Sequence, residues 1–212
     1  MKKETMLWMI AILIFIAIIT IPDSNQVFTK LTEKYPYIMG FIKFAYLASL
    51  GELLAIRINK GNWCLPGKMF FRSIIWGVIG IAVTLMFKLF ASGVFQIMEE
   101  GYLPGGTNVF LFALFTATIM NTTFGPVFMA CHRCSDTYLE MKTGREKIGI
   151  GAVVKEVDWN NFITFVILKT IPFFWIPAHT ITFLLPSAYR VLMAAFLSIV
   201  LGVILSLAKK KK

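Results

Sequence analysis

Four ionisable side chains fall inside long apolar runs of this chain: Lys43, Glu52, Lys88 and Lys169. A charge placed at the centre of a bilayer costs roughly 2.5–3.5 kcal/mol on insertion scales, so each is a functional candidate. If water reaches them, the three lysines form a positively biased vestibule that attracts anions or small polar metabolites. The competing use is snorkelling, in which the lysine stem lies along apolar surface and the ammonium reaches the headgroups. Glu52 has its own alternative: Arg57 lies about a turn and a half further on, and Arg72 opens the next apolar run, so an ion pair could satisfy it. Asn121–Thr122–Thr123 and Gly125–Pro126 interrupt another run. Small and hydroxylated residues let helices approach and hydrogen-bond, and a proline frees a carbonyl about four residues upstream. That pattern suits either a pore-lining stripe or a helix–helix seam. With Arg190 near the start of the last run, the candidate pore or gating set is Lys43, Glu52, Lys88, Asn121, Lys169 and Arg190.

Cys131–His132–Arg133–Cys134 has the look of a metal motif but fails on ligand count. A structural zinc site takes four ligands, and only Cys64 and the distant His179 remain as soft donors. Free thiols at a helix end are expected, with a redox-sensitive pair as the alternative. The chain contains no G-x-x-x-x-G-K-[ST], G-x-S-x-G or H-E-x-x-H pattern. Its only histidines, His132 and His179, are expected on opposite sides of the membrane. No catalytic residues, metal or cofactor are expected, and the chain does not read as an enzyme.

The elements that must hold these residues are apolar helices. Hydrophobic residues make up 58% of the 212 and charged residues only 15%, against roughly 25% charged in a soluble domain. A span needs roughly 20 apolar residues, so the chain has room for about six. The runs are 6–21, 37–58, 70–98, 109–130 and the two halves of 159–208. The first is short, roughly 24 Å as a helix. It lacks a signal-cleavage site, and Ile21–Pro22–Asp23 reads as its stop. Segment 131–158 is polar, carries Gly144, Gly149 and Gly151, and reads as a short helix extension plus a flexible link. In the last quarter, Pro177 and Pro186 are expected to bracket a tight corner holding His179 and Thr182.

Basic residues cluster on alternate connections. Lys2 and Lys3; Arg57, Lys60, Lys68 and Arg72; Arg133, Lys142, Arg145, Lys147 and Lys155; and Lys209 to Lys212 all fall on one side. Lys30, Lys34 and Arg190 fall on the other, with Glu99 and Glu100. By the positive-inside rule this gives an all-α polytopic membrane protein with six spans and both termini cytoplasmic, forming a single domain over 1–212. The net charge of +10 is then a matter of orientation and anionic lipid, with no nucleic acid as partner.

The C-terminal residues Trp159, Trp175, His179, Thr182–Phe183, Pro186 and Tyr189–Arg190 resemble the signature of the Mpv-seventeen family. It is also called the twenty-two-kilodalton peroxisomal membrane protein family. His179 stands where glutamine is usual and Thr182–Phe183 where Asn-Phe is usual. Gly51–Glu52, Arg72, Gly77, Lys88, and Asn121 with Phe124–Gly125–Pro126 fit the upstream pattern more loosely. The Gly-Pro and Trp-Tyr of the third helix are missing, and proline is at Pro177 instead of directly after Trp175. The resemblance implies a divergent, prokaryotic-type member of a group of small helical proteins proposed to act as weakly selective channels in organelle membranes.

The expectation is therefore a channel-like protein passing small ions or polar metabolites. The alternative is a non-conducting scaffold that organises partner proteins or lipids. Its partners would be the bilayer and small solutes, with a homo-oligomer as a further option. Lysine- and isoleucine-rich usage points to a bacterial plasma membrane, with an organelle membrane as the alternative.

Overall fold

The computed structural model describes residues 3–142 and 147–210, apart from the side chains of Leu205 and residues 207–210. Lys2, Gly144, Arg145, Lys211 and Lys212, and the side chains of Lys209 and Lys210, lie outside the described residues. The helices are α1 (Lys3–Thr20), α2 (Pro22–Lys34), α3 (Pro36–Lys60), α4 (Met69–Glu99), α5 (Val109–Met141), α6 (Ile150–Glu156) and α7 (Trp159–Asn161). A π-helical stretch, Phe162–Trp175, follows, then α8 (Ile176–Leu184) and α9 (Ser187–Lys210). Among the described residues, 6 helices are long and apolar enough to cross a membrane; Trp159–Leu184 counts as one of them. The chain is an all-α integral membrane protein.

Local chemistry sets the boundaries. Pro22 and Pro36 open α2 and α3, where a missing N–H costs nothing. Ile21 is pushed to extended backbone by the proline after it. Gly61 closes α3 in the left-handed conformation, φ 76°. The Asn108 side chain caps α5 by accepting from Leu111 N at 3.0 Å.

The chain divides into two compact units. The first holds α1, α2, α3, α4 as far as Leu85, and α9. Its most extensive contact is α3 against α9, and small residues make that contact close. Ala48 is 2% and Ala195 0% exposed, and a Cβ placed on Gly51 would lie 3.0 Å from Ile199 Cα. Without a hydrophobic drive between helices in lipid, such seams gain from packing at short backbone separation. The crossing of α3 with α4 is tighter: a Cβ on Gly80 would sit 2.7 Å from the Gly40 carbonyl carbon and 2.8 Å from Phe44 Cβ. Helix α1 buries no residue. It is held by Trp8 Nε1 donating to Leu50 O at 2.9 Å and Tyr46 donating to Ala11 O at 2.9 Å.

The second unit holds the rest of α4, then α5 to α8 with the π-helical stretch. Helix α5 packs on α8 and buries Ala113, Thr116, Ala117, Met120 and Asn121.

Three sequence expectations change. The corner between Pro177 and Pro186 is helical: α8 carries the chain through His179 and Thr182 to Leu184, and the break is confined to Leu185–Pro186. Pro177 is harmless because it lies in the first turn of α8, after a π-helical stretch whose hydrogen bonds run i→i+5, as from Ile176 N to Ile171 O. Pro186 does act as a stop, forcing Leu185 to extended backbone. Second, the helix extension expected after Ala130 is longer than a short one, carrying α5 through Cys131, His132 and Cys134 to Met141, and the link that follows holds a further helix, α6. Third, residues 22–34, read as a connection, form an amphipathic helix.

The glycine crossing yields a stability test. Gly80→Ala should destabilise the protein by about 1–3 kcal/mol through overpacking. Gly93→Ala, at an exposed helical position with open space around it, should leave the melting temperature unchanged or raise it. Thermal unfolding in detergent reads both.

Candidate functional site

Three polar clusters collect most of the singled-out residues. In the first unit, Arg72 Nη1 donates to Glu52 Oε1 at 3.0 Å and Trp76 Nε1 donates to Glu52 Oε2 at 3.3 Å. Both carboxylate oxygens are engaged, and the ion-paired side chains are only 13% and 20% exposed. A charged hydrogen-bonded pair between α3 and α4 is strongly coupled, because losing one partner strands the other. Arg57, the other partner considered, donates to Gly61 O and closes its own helix.

In the second unit, Asn121 on α5 meets His179 on α8. Asn121 Nδ2 donates to Ala117 O at 2.7 Å and reaches His179 Nδ1 at 2.9 Å. The imidazole stacks on Trp175, with centroids 5.1 Å apart and planes at 25°, and meets Phe87 edge-on at 5.5 Å. Phe183 packs on Phe87 at 5.0 Å. Thr182 is 0% exposed and donates to Ala178 O on its own helix. Thr122 and Thr123 point outward and are satisfied by Thr118 O and Ile119 O. Of the softened segment, then, only Asn121 and Gly125 face the interior; its hydroxyls form no inward stripe.

The third cluster surrounds Lys43, which is 1% exposed. Its ammonium donates to Thr32 Oγ1 at 2.9 Å, lies 3.5 Å from Ala188 O and sits 4.5 Å from the centroid of Phe28. Beside it, Tyr189 donates to Asn25 Oδ1 at 2.8 Å and stacks on Phe28. Arg190 is half-buried in the same turn of α9. Lys43 also lines a cavity of about 650 Å³ between α1, α2 and α3.

The other lysines differ. Lys88 and Lys169 are exposed on the outer surfaces of their helices. Trp159 sits at the start of α7, donating to Val154 O at 2.8 Å, and Pro186 marks the α8–α9 break. Cys64 and Cys131 are exposed and Cys134 half-buried. Among the described residues no His, Cys, Asp or Glu group of three or more could hold a metal ion.

Sequence reasoning missed Asp23, Asn25, Phe28 and Thr32, all on α2, and Trp76. Proline at position 22 followed by Val27, Phe28 and Leu31 at helical spacing was the available signal. It was hidden because 13 residues are too few for a span.

No protein-family model, curated protein or solved structure matches this chain.

The buried amide–imidazole pair makes a defined prediction. Asn121→Leu and His179→Leu should each destabilise by about 1–3 kcal/mol, because each strands a buried polar partner. The double variant should cost less than the sum, and His179→Gln, which keeps an amide facing Asn121, should cost least. Melting temperatures of the four purified variants check this.

Proposed function

We propose that this integral membrane protein is a non-conducting scaffold that organises lipids or partner proteins in a bacterial plasma membrane. The observation that carries the reading is the pairing of intramembrane polar groups inside the chain. Glu52 is occupied by Arg72 and Trp76, and Asn121 by His179. Groups committed to one another inside the chain lend no ligands to a passing ion, which needs a lining of polar groups able to replace its hydration.

A second reading, a channel for small ions or polar metabolites, draws on Lys88 and Lys169. Both are exposed on spans and neither has a charged partner among the described residues. Hydrocarbon is a poor surroundings for such a group, and an aqueous path bordered by that surface would accommodate it. Snorkelling to the headgroups accommodates it equally.

Purified protein in planar bilayers separates the two. Silent membranes across a wide voltage and pH range are expected. Unitary currents whose ion selectivity changes in Lys169→Leu would overturn the scaffold reading.

A further inference from the structure

Lys169 is the deepest of the exposed cations. It lies ten residues after Trp159 and fifteen before Leu184, the two ends of its span. At about 1.5 Å per residue its Cα is about 4 Å from the span's midpoint. In a hydrocarbon core about 30 Å thick, that leaves about 11 Å to the nearer headgroups. A lysine stem reaches about 6 Å. A snorkelling ammonium therefore meets the headgroups only if the bilayer thins locally, which has its own cost. Among the described residues Lys169 has no hydrogen bond, ion pair or aromatic contact.

The span that carries it is open. Only 17% of its apolar length is buried, against 33–39% for α3, α4, α5 and α9. Phe165 and Phe173 stand one turn before and after Lys169 on the same face, with Leu168 beside them. They are 39%, 81% and 62% exposed. The face belongs to the 14-residue π-helical stretch Phe162–Trp175, and π-helical geometry is rare and concentrates at functional sites. Apolar surface alone gives little attraction between helices in lipid. A specific neighbour on this face is therefore selected by the single charge at its centre.

That neighbour must bring a carboxylate to the same depth. Among the described residues Glu52 is the one carboxylate in the interior of a span, and Arg72 and Trp76 already hold it. Glu4, Glu99, Asp136 and Glu140 lie in the first or last two turns of their helices. A second copy of this chain therefore has no carboxylate to offer at mid-span. We infer that the exposed face around Lys169 docks a transmembrane helix of a different protein, one that carries an aspartate or glutamate near its own midpoint. The carboxylate pairs with the Lys169 ammonium, and Phe165, Leu168 and Phe173 pack against the helix beside it. A charge-assisted hydrogen bond is strong where no water competes for either partner. The inference rests on the scaffold reading and names the chemistry of the partner it would organise.

Energy transfer in phosphatidylcholine vesicles tests it. The full-length protein, donor-labelled at its exposed cysteines, is titrated with acceptor-labelled synthetic leucine–alanine helices that carry glutamate, glutamine or leucine at the midpoint. The glutamate helix should associate about tenfold more tightly than the leucine helix, the gain expected of a polar contact between helices in lipid. Lys169→Met should remove that gain, and Lys88→Met should keep it. Lys169→Glu should transfer the preference to a helix with lysine at its midpoint. Equal association of the glutamate and leucine helices, or a preference that survives in Lys169→Met, refutes the assignment. Loss of the preference on adding phosphatidylglycerol would give Lys169 to headgroup phosphates. Lys169-dependent energy transfer between two labelled copies would give it to a second copy, and either result sinks the inference. If it fails while planar bilayers stay silent, this docking face is removed and the scaffold reading stands. Unitary currents would remove the scaffold reading whatever helix is bound.

Discussion

Hydrocarbon offers no water to hydrogen-bond, so a polar group inside a membrane protein must find its partner in the chain, in a ligand or at the surface. The interior follows from that constraint. Glu52 is shared between a guanidinium and an indole N–H across α3 and α4. Asn121 bridges its own helix and α8 through His179. Buried threonines return their hydroxyls to the carbonyl four residues back, as Thr116, Thr180 and Thr182 do. Lysines without an internal partner, Lys88 and Lys169, are on the outside of their helices. Lys43 is the case in which burial and charge coincide without a counter-charge, and a cavity adjoins it.

Backbone proximity is the second ingredient. Lipid-embedded helices gain little from hiding apolar surface, so affinity comes from close packing. Glycine and alanine on α3, α4 and α9 bring helix axes near enough for Glu52 to reach Arg72 and for Lys43 to reach the start of α9. The polar contacts and the small-residue seams are therefore one design: enlarge Gly80 or Gly51, and the helices carrying the paired groups separate.

Much of the fold was legible in the sequence because length and apolarity alone specify a span. The expected runs coincide with five of the spanning helices to within a few residues, and Val109 opens α5 as read. Glu52 with Arg72 was foreseeable from charge and position. What could not be read depended on geometry that residue types do not encode. Pro177 looked like a helix stop, yet its effect depends on the hydrogen-bond register it meets, and a π-helical stretch upstream shifts that register. The role of α2 was hidden because a short amphipathic helix matters only through what it covers, and it covers Lys43. Position in the run set Lys169 apart as nearest a helix centre but did not single out Lys43; only packing separates the buried lysine from the exposed two.

The central claim, that Asn121 and His179 are committed to one another in a dry interior of the second unit, is most directly tested by substituted-cysteine labelling. Thr116→Cys and Thr182→Cys, near-isosteric changes at fully buried positions, would be placed separately in reconstituted protein whose only other thiol is the exposed native Cys131. A membrane-impermeant thiol reagent applied to both sides should modify Cys131 and leave the introduced thiols untouched. Modification at position 116 or 182 at a rate approaching that of Cys131 would place water in the interior and contradict the account.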